Sequence, residues 1–210
     1  MSRTKTELIK SYQDRLIKHG PSPQAVQYTD KASHIKRFAI LSDIDPKMTS
    51  VLDVGCGMGD FCHYMRQCGS EVNYHGVDIV PEFVELANEA FSGDPFAIAT
   101  HLDAELAALP QGFEYSILSG VFNNVMEDNW EFMQRTLHQM WNAATKGIAF
   151  NAMSTYVDYR DADLYYVDPL QVFAFCKSQL GGHPVLRHDY TVKDGGFPFE
   201  FAIYVYKSPN

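Results

Sequence analysis

Val51-Leu52-Asp53-Val54-Gly55-Cys56-Gly57-Met58-Gly59-Asp60 carries the strongest local signal of architecture in the chain. Four residues of strand character, Val51 to Val54, run into glycines at alternate positions, Gly55, Gly57 and Gly59, and a helix-compatible stretch follows at once. The pattern is a strand, a tight turn and a helix start. Alternate glycines let the backbone take positive φ and let a ligand approach main-chain atoms that a Cβ would shield. A dinucleotide fingerprint needs G-x-G-x-x-G, but here the third glycine comes one residue early and Asp60 holds the last place. Two like charges ~5 Å apart at an effective dielectric of ~20 repel by about 3 kcal/mol. The turn therefore rejects a pyrophosphate and favours a ligand bearing an ammonium or sulfonium.

Tyr74 to Asp78 reads as a second short strand ending in an acid, and Asp78 lies about 20 residues beyond the glycine turn, where a carboxylate accepts hydrogen bonds from both hydroxyls of a ribose. The ligand thus has a ribose but no tolerated phosphate. With VLDVGCGMGD, GVDIVPEFVELA, HLDAELAALP and FEYSILSGVFN in that order, the chain resembles the class I S-adenosylmethionine-dependent methyltransferases from Val51 to Tyr206. The resemblance implies an α/β fold: a Rossmann-like, seven-stranded, mostly parallel sheet with helices on both faces, a C-terminal antiparallel hairpin and an N-terminal helical extension. One domain is expected over residues 1–210, with 1–45 as a helical lid and 46–210 as the core. The implied cofactor is S-adenosyl-L-methionine. Its expected contacts in the motifs are Asp53, Gly55, Cys56, Gly57, Asp60, Asp78 and Ile79.

Composition bounds the partners. Of the 210 residues, 46% are apolar and 13% aromatic, which excludes a disordered chain. No apolar run approaches the ~20 residues of a membrane span, and Met1 to Lys10 lacks the apolar core of a secretory signal, so a cytoplasmic protein is expected. A formal charge of −9 provides no footprint for a phosphate backbone. Lys5, Lys10, Arg15 and Lys18 are interspersed with Glu7 and Asp14 and read as a solvated helix face. A small-molecule acceptor is expected, with no nucleic acid and no membrane. The four cysteines form no C-x-x-C pair, and the histidines are too scattered for a metal site, so reduced thiols and no metal are expected.

Before the core, Thr6 to His19 reads as a helix stopped by Gly20 and Pro21, and a second begins at Ser22 or Pro23 with a break near Tyr28 to Lys31. Gln27, Tyr28, His34 and Arg37 are candidate lid contacts. Arg37 is either a bidentate clamp for the cofactor's methionine carboxylate or a solvated helix residue. After the third strand, Ala97 to Leu102, the resemblance places Asp103 and Ala104 on the adenine, with Leu102 as a wall; Asp103 also suits the N-cap of a helix over Ala104 to Leu109. Strand four, Phe113 to Leu118, runs into Ser119, Gly120 and Val121, the loop that the resemblance sets beside the sulfonium. The DPPY-type loop of amino-nitrogen methylators is missing there, so N-methylation loses support.

Asp128 to Ala144 carries an apolar stripe at helical spacing, Ile148 to Asn151 reads as strand five, and Pro169 to Leu180 as a helix. Val185 to Tyr190 and Phe199 to Tyr206 read as a hairpin joined by Lys193 to Gly196. The segment from Met153 to Asp168 holds four tyrosines with Arg160 and suits a substrate cover over the strand ends or a self-packed surface loop. Candidate acceptor contacts are Asn123, Tyr156, Arg160, Tyr165, Tyr166 and His188. No nucleophile and base pair stands out, which fits a transfer driven by orientation of an already activated donor. The alternative function is a non-catalytic adenosylmethionine-binding accessory or sensor protein.

Overall fold

The computed structural model describes residues 3–27 and 30–209. Two helices precede the sheet, α1 (Lys5–His19) and α2 (Lys31–Ser42). A capping box starts α1: the Glu7 amide donates to Thr4 Oγ1 at 3.2 Å while the Thr4 amide donates to Glu7 Oε2 at 2.9 Å. The helix expected from Ser22 or Pro23 is a run of turns through Gln27, and α2 starts only at Lys31, with Asp30 accepting from the Ser33 amide at 2.7 Å as its cap.

The core then alternates strands and helices: β1 (Ser50–Val54), α3 (Asp60–Gln67), β2 (Asn73–Asp78), α4 (Pro81–Ala90), β3 (Ala97–His101) and β4 (Phe113–Leu118). α5 (Asn129–Ala143), β5 (Ala144–Ser154), β6 (Tyr166–Val167), α6 (Pro169–Ser178), β7 (His183–Arg187) and β8 (Glu200–Tyr206) complete it. The sheet order is β3-β2-β1-β4-β5-β8-β7, with β8 antiparallel to both its neighbours and the other pairs in that order parallel. β1 is central and pairs β2 on one side and β4 on the other, so the chain leaves it in opposite directions. A crevice at the carboxyl ends follows from that reversal.

Two apolar layers sandwich the sheet. Phe38, Leu41, Phe61, Val84 and Phe91 pack α2, α3 and α4 on one face, and Met133, Leu137, Met140, Val172 and Phe175 pack α5 and α6 on the other. The stripe along α5 is therefore core. Cys56, Cys62 and Cys176 are buried free thiols and Cys68 is exposed.

Four expectations are adjusted. The sheet has eight strands, because the two-residue β6 adds to β5 at Met153 and Ser154. β5 is eleven residues long, since its middle is covered on both faces and paired on both edges. The C-terminal pair is antiparallel as expected, but β7 begins at His183, and residues 188–199 make the connection far longer than a tight hairpin. Ala104 to Leu109 forms a turn instead of a helix: so few residues before Pro110 do not offset the cost of helix nucleation. No helix among the described residues is long and apolar enough to cross a membrane.

Candidate functional site

The glycine turn is stitched to β2 by two amides, Gly55 and Cys56, which donate to the Val77 carbonyl at 2.8 and 3.0 Å. At Gly55 the left-handed φ of 75° coincides with a close approach: a Cβ there would lie 2.2 Å from Val121 Cγ2, on the loop after β4. At Gly59, φ is 84° and a Cβ would meet the Phe91 ring at 2.5 Å. Only glycine meets both demands. Asp78, at the end of β2, accepts from the Gly57 amide through Oδ2 and from the Val80 amide through Oδ1, each at 2.8 Å. Each oxygen keeps a second lone pair for a ligand hydroxyl. Burial pushes this carboxyl above its ordinary value, and the amides of Val80, Gly57 and Ile79 oppose the shift.

Acidity concentrates around the turn. Asp53 is 3% exposed, and burial raises its pKa to about 7 against the hydrogen bond from Tyr74, whose hydroxyl donates to Oδ2 at 2.6 Å. The nearby charges of Asp78 and Asp60 push the same way. Asp60 opens α3, and its pKa is also raised by burial, with Lys31 and His63 opposing. Its Oδ2 stands 4.0 Å from Nδ1 of His34 on α2, which burial and the Arg37 charge hold down to about 3 and therefore neutral at neutral pH. Asp53 and Asp60 both line the cleft, so a cation bound in it favours their ionised forms.

These groups open into a cleft that α1 roofs. Lys5 reaches Asp103 at 2.7 Å and Glu105 at 2.6 Å, both past the end of β3. Gln13 donates to Glu82 at 2.7 Å, and the Tyr12 ring packs edge-on against Phe83 of α4 at 5.8 Å. At the other margin the Arg3 amide donates to the Val125 carbonyl at 3.1 Å, and Asn124 Nδ2 to the Tyr12 hydroxyl at 3.1 Å. The helix thus spans the mouth from α4 to the loop after β4. Leu102, Ala104, Val121 and Phe132 contribute apolar surface to its lining.

A family model described as a methyltransferase domain matches residues 45–163. The chain belongs to this methyltransferase family. A protein of Mycobacterium tuberculosis (strain ATCC 25618 / H37Rv), named as a methyltransferase, is 33% identical over 179 residues, covering 80% of this chain and 98% of its own length. Among solved structures, the magnesium protoporphyrin IX methyltransferase of Synechocystis PCC 6803 with bound SAH superposes with a TM-score of 0.70 at 14% identity, over 98% of this chain and 100% of that one. A SAM-dependent methyltransferase from Aquifex aeolicus gives 0.63 at 15% identity, over 89% and 99%. At those identities the solved structures show the fold: the class I methyltransferase fold.

The methyltransferase cleft gathers most of the residues read from the motifs. Asp53, Gly55, Cys56, Gly57, Asp60, Asp78, Ile79, Leu102, Asp103, Ala104, Ser119, Gly120 and Val121 all line it. Tyr28 lies outside the described residues. Arg37 departs from the expectation: it does not line the cleft, and its Nε donates to Glu200 Oε2 at 2.8 Å while Nη1 donates to the Ser33 carbonyl at 3.3 Å. A guanidinium 7% exposed needs a charged partner, and β8 supplies it. Asp103 caps a turn, accepting from the Glu105 amide at 3.0 Å, and holds Lys5.

None of the six candidate acceptor contacts lines this cleft. The Tyr165 amide donates to the Asn123 carbonyl at 2.9 Å, tying the tyrosine segment to the loop after β4. Tyr166 accepts from the Asp161 amide at 3.0 Å, under the Arg160 guanidinium 5.8 Å from its ring centroid. Tyr156 faces the His188 ring at 6.3 Å. Sequence reasoning missed Lys5, Leu8 and Tyr12 on α1, which line the roof; the apolar side of that helix was the available signal.

Proposed function

We propose that the cleft holds S-adenosyl-L-methionine and that this cytoplasmic methyltransferase passes its methyl group to a small-molecule acceptor by in-line displacement. One observation carries the reading: a glycine turn, a strand-end carboxylate with free lone pairs and a cluster of buried acids meet at the point where the sheet order reverses. The residues fit that donor group by group. The apolar lining of Leu102, Ala104 and Val121 suits a flat base, Asp78 takes the ribose hydroxyls, and Asp53 with Asp60 favours the cationic end. The cradle at Gly55, which a side chain would fill, accepts the close approach of the ligand to the main chain.

The bound donor supplies an already activated methyl carbon. The protein's own residues bind, orient and exclude water: α1 roofs the cleft, and the loop from Ser119 to Val121 flanks the place of transfer. Alignment alone supplies effective molarities of about 10⁵ M or more. Asn123, Tyr156, Arg160, Tyr165, Tyr166 and His188 are assigned to the acceptor side, outside the donor cleft. His188 is the candidate proton acceptor among them, since burial lowers its pKa and its Nε2 is buried with no hydrogen-bond partner among the described residues.

Calorimetry with the purified chain tests the reading. Adenosylmethionine and adenosylhomocysteine are expected to bind, and nicotinamide dinucleotides are not. Labelled methyl should pass to a component of a small-metabolite extract; donor binding without any transfer would replace the enzyme by an accessory or sensor protein.

A further inference from the structure

A buried polar chain crosses the molecule behind the cleft. Arg37, on α2, places Nε and Nη2 each 2.8 Å from Glu200 Oε2 at the start of β8. The other carboxylate oxygen, Oε1, accepts from Asn151 Nδ2 of β5 at 3.2 Å and from the Tyr190 hydroxyl at 3.2 Å. Asn151 in turn accepts the Gly120 amide through Oδ1 at 2.8 Å. Arg37, Asn151, Tyr190 and Glu200 are 7%, 2%, 9% and 2% exposed. One end of the chain reaches the cleft at Gly120, and the other stops at Arg37, one residue short of its lining. Arg37 lies between His34 and Phe38, which line one wall, and Gly120 lines the other.

The chemistry of each link constrains the next. A carboxylate only accepts, so Glu200 obliges Asn151 to turn its amide nitrogen toward it. The amide oxygen of Asn151 is then left facing Gly120. Gly120 has a left-handed φ of 74°, and the residue after it, Val121, is the one that approaches Gly55. Where the Gly120 amide is tied therefore decides how far Val121 stands from the glycine turn.

We propose that Arg37, Glu200 and Asn151 are positioning residues for methyl transfer, a buried strut that sets the loop after β4 against α2 and so holds the donor in its transferring pose. The proposal rests on the assignment of the cleft to adenosylmethionine.

Glu200→Gln tests it, because glutamine keeps the volume but can donate, releasing Asn151 to turn its amide over. Adenosylhomocysteine affinity is expected to fall about tenfold, the worth of one hydrogen bond to a charged or buried partner. The Gly120 amide resonance is expected to move in the nitrogen-proton correlation spectrum of the folded protein. Asn151→Ala, which leaves the ion pair intact, should reproduce both effects and is read in its place if Glu200→Gln does not fold. The pair Arg37→Met with Glu200→Leu removes the buried charges together; it should regain thermal stability without regaining affinity. Affinity within twofold of wild type in a folded Glu200→Gln or Asn151→Ala variant, with the Gly120 resonance in place, overturns the strut. Absence of adenosylhomocysteine binding to wild type overturns the cleft assignment itself, and the strut with it.

Discussion

At Asp53, a single proton decides how the cleft meets a cation. Its pKa of about 7 is raised above the usual carboxylate value by burial, so at intermediate pH the folded state holds a proton that the unfolded state has lost. The contribution to stability is complete below the unfolded pKa of about 4 and disappears as pH rises through about 7, amounting to on the order of 4 kcal/mol. Thermal denaturation of wild type against Asp53→Asn is expected to show wild type losing ground between about pH 4 and pH 7. Donor binding runs the opposite way: a cationic ligand favours the ionised acid, so affinity for adenosylmethionine should rise across the same window and the rise should vanish in Asp53→Asn. Tyr74→Phe removes the hydroxyl that donates to Asp53 and should displace that rise toward higher pH. Gly55 gives a second prediction at this scale. Gly55→Ala combines a left-handed backbone with a 2.2 Å approach to Val121, so a loss of about 1–3 kcal/mol in stability is expected, together with loss of adenosylhomocysteine binding measured by calorimetry.

Among the elements, α1 is the one whose role is written in side chains distant along the chain. It buries no residue of its own and is held by Lys5, Gln13, Tyr12 and the segment before it. Lys5→Met should weaken adenosylhomocysteine binding several-fold and speed amide exchange in α1 while β1 and β4 keep their protection, read by exchange mass spectrometry. The strand, turn and helix around Gly55 were legible because each is encoded locally: alternate glycines, apolar period and the acid closing β2 all lie within a short window. Ion pairs are not encoded so. Lys5 meets Asp103 across 98 positions and Arg37 meets Glu200 across 163, and nothing near either basic residue marks its partner. That is why neither a carboxylate clamp nor a solvated helix residue, the two roles that the sequence around Arg37 suggests, is what the fold gives it. The missing helix after Asp103 has another cause, because capping chemistry is the same for a turn and for a helix and only length separates them. β6, two residues long, carries no period at all.

For the molecule as a whole, the reversal of strand order beside β1 places the cleft, and a formal charge of −9 disfavours the approach of polyanions. Electrophoretic mobility of duplex DNA and of structured RNA is expected to be unchanged by micromolar protein even at low salt; a shift that disappears on adding salt would contradict the small-molecule reading. Donor exchange is governed by the same architecture. A roof anchored by the partly buried Lys5 pairs behaves as a latch, and mobile ions weaken such latches. Raising ionic strength should therefore hasten both entry and escape of the nucleoside, shortening its residence while leaving the floor beneath it untouched.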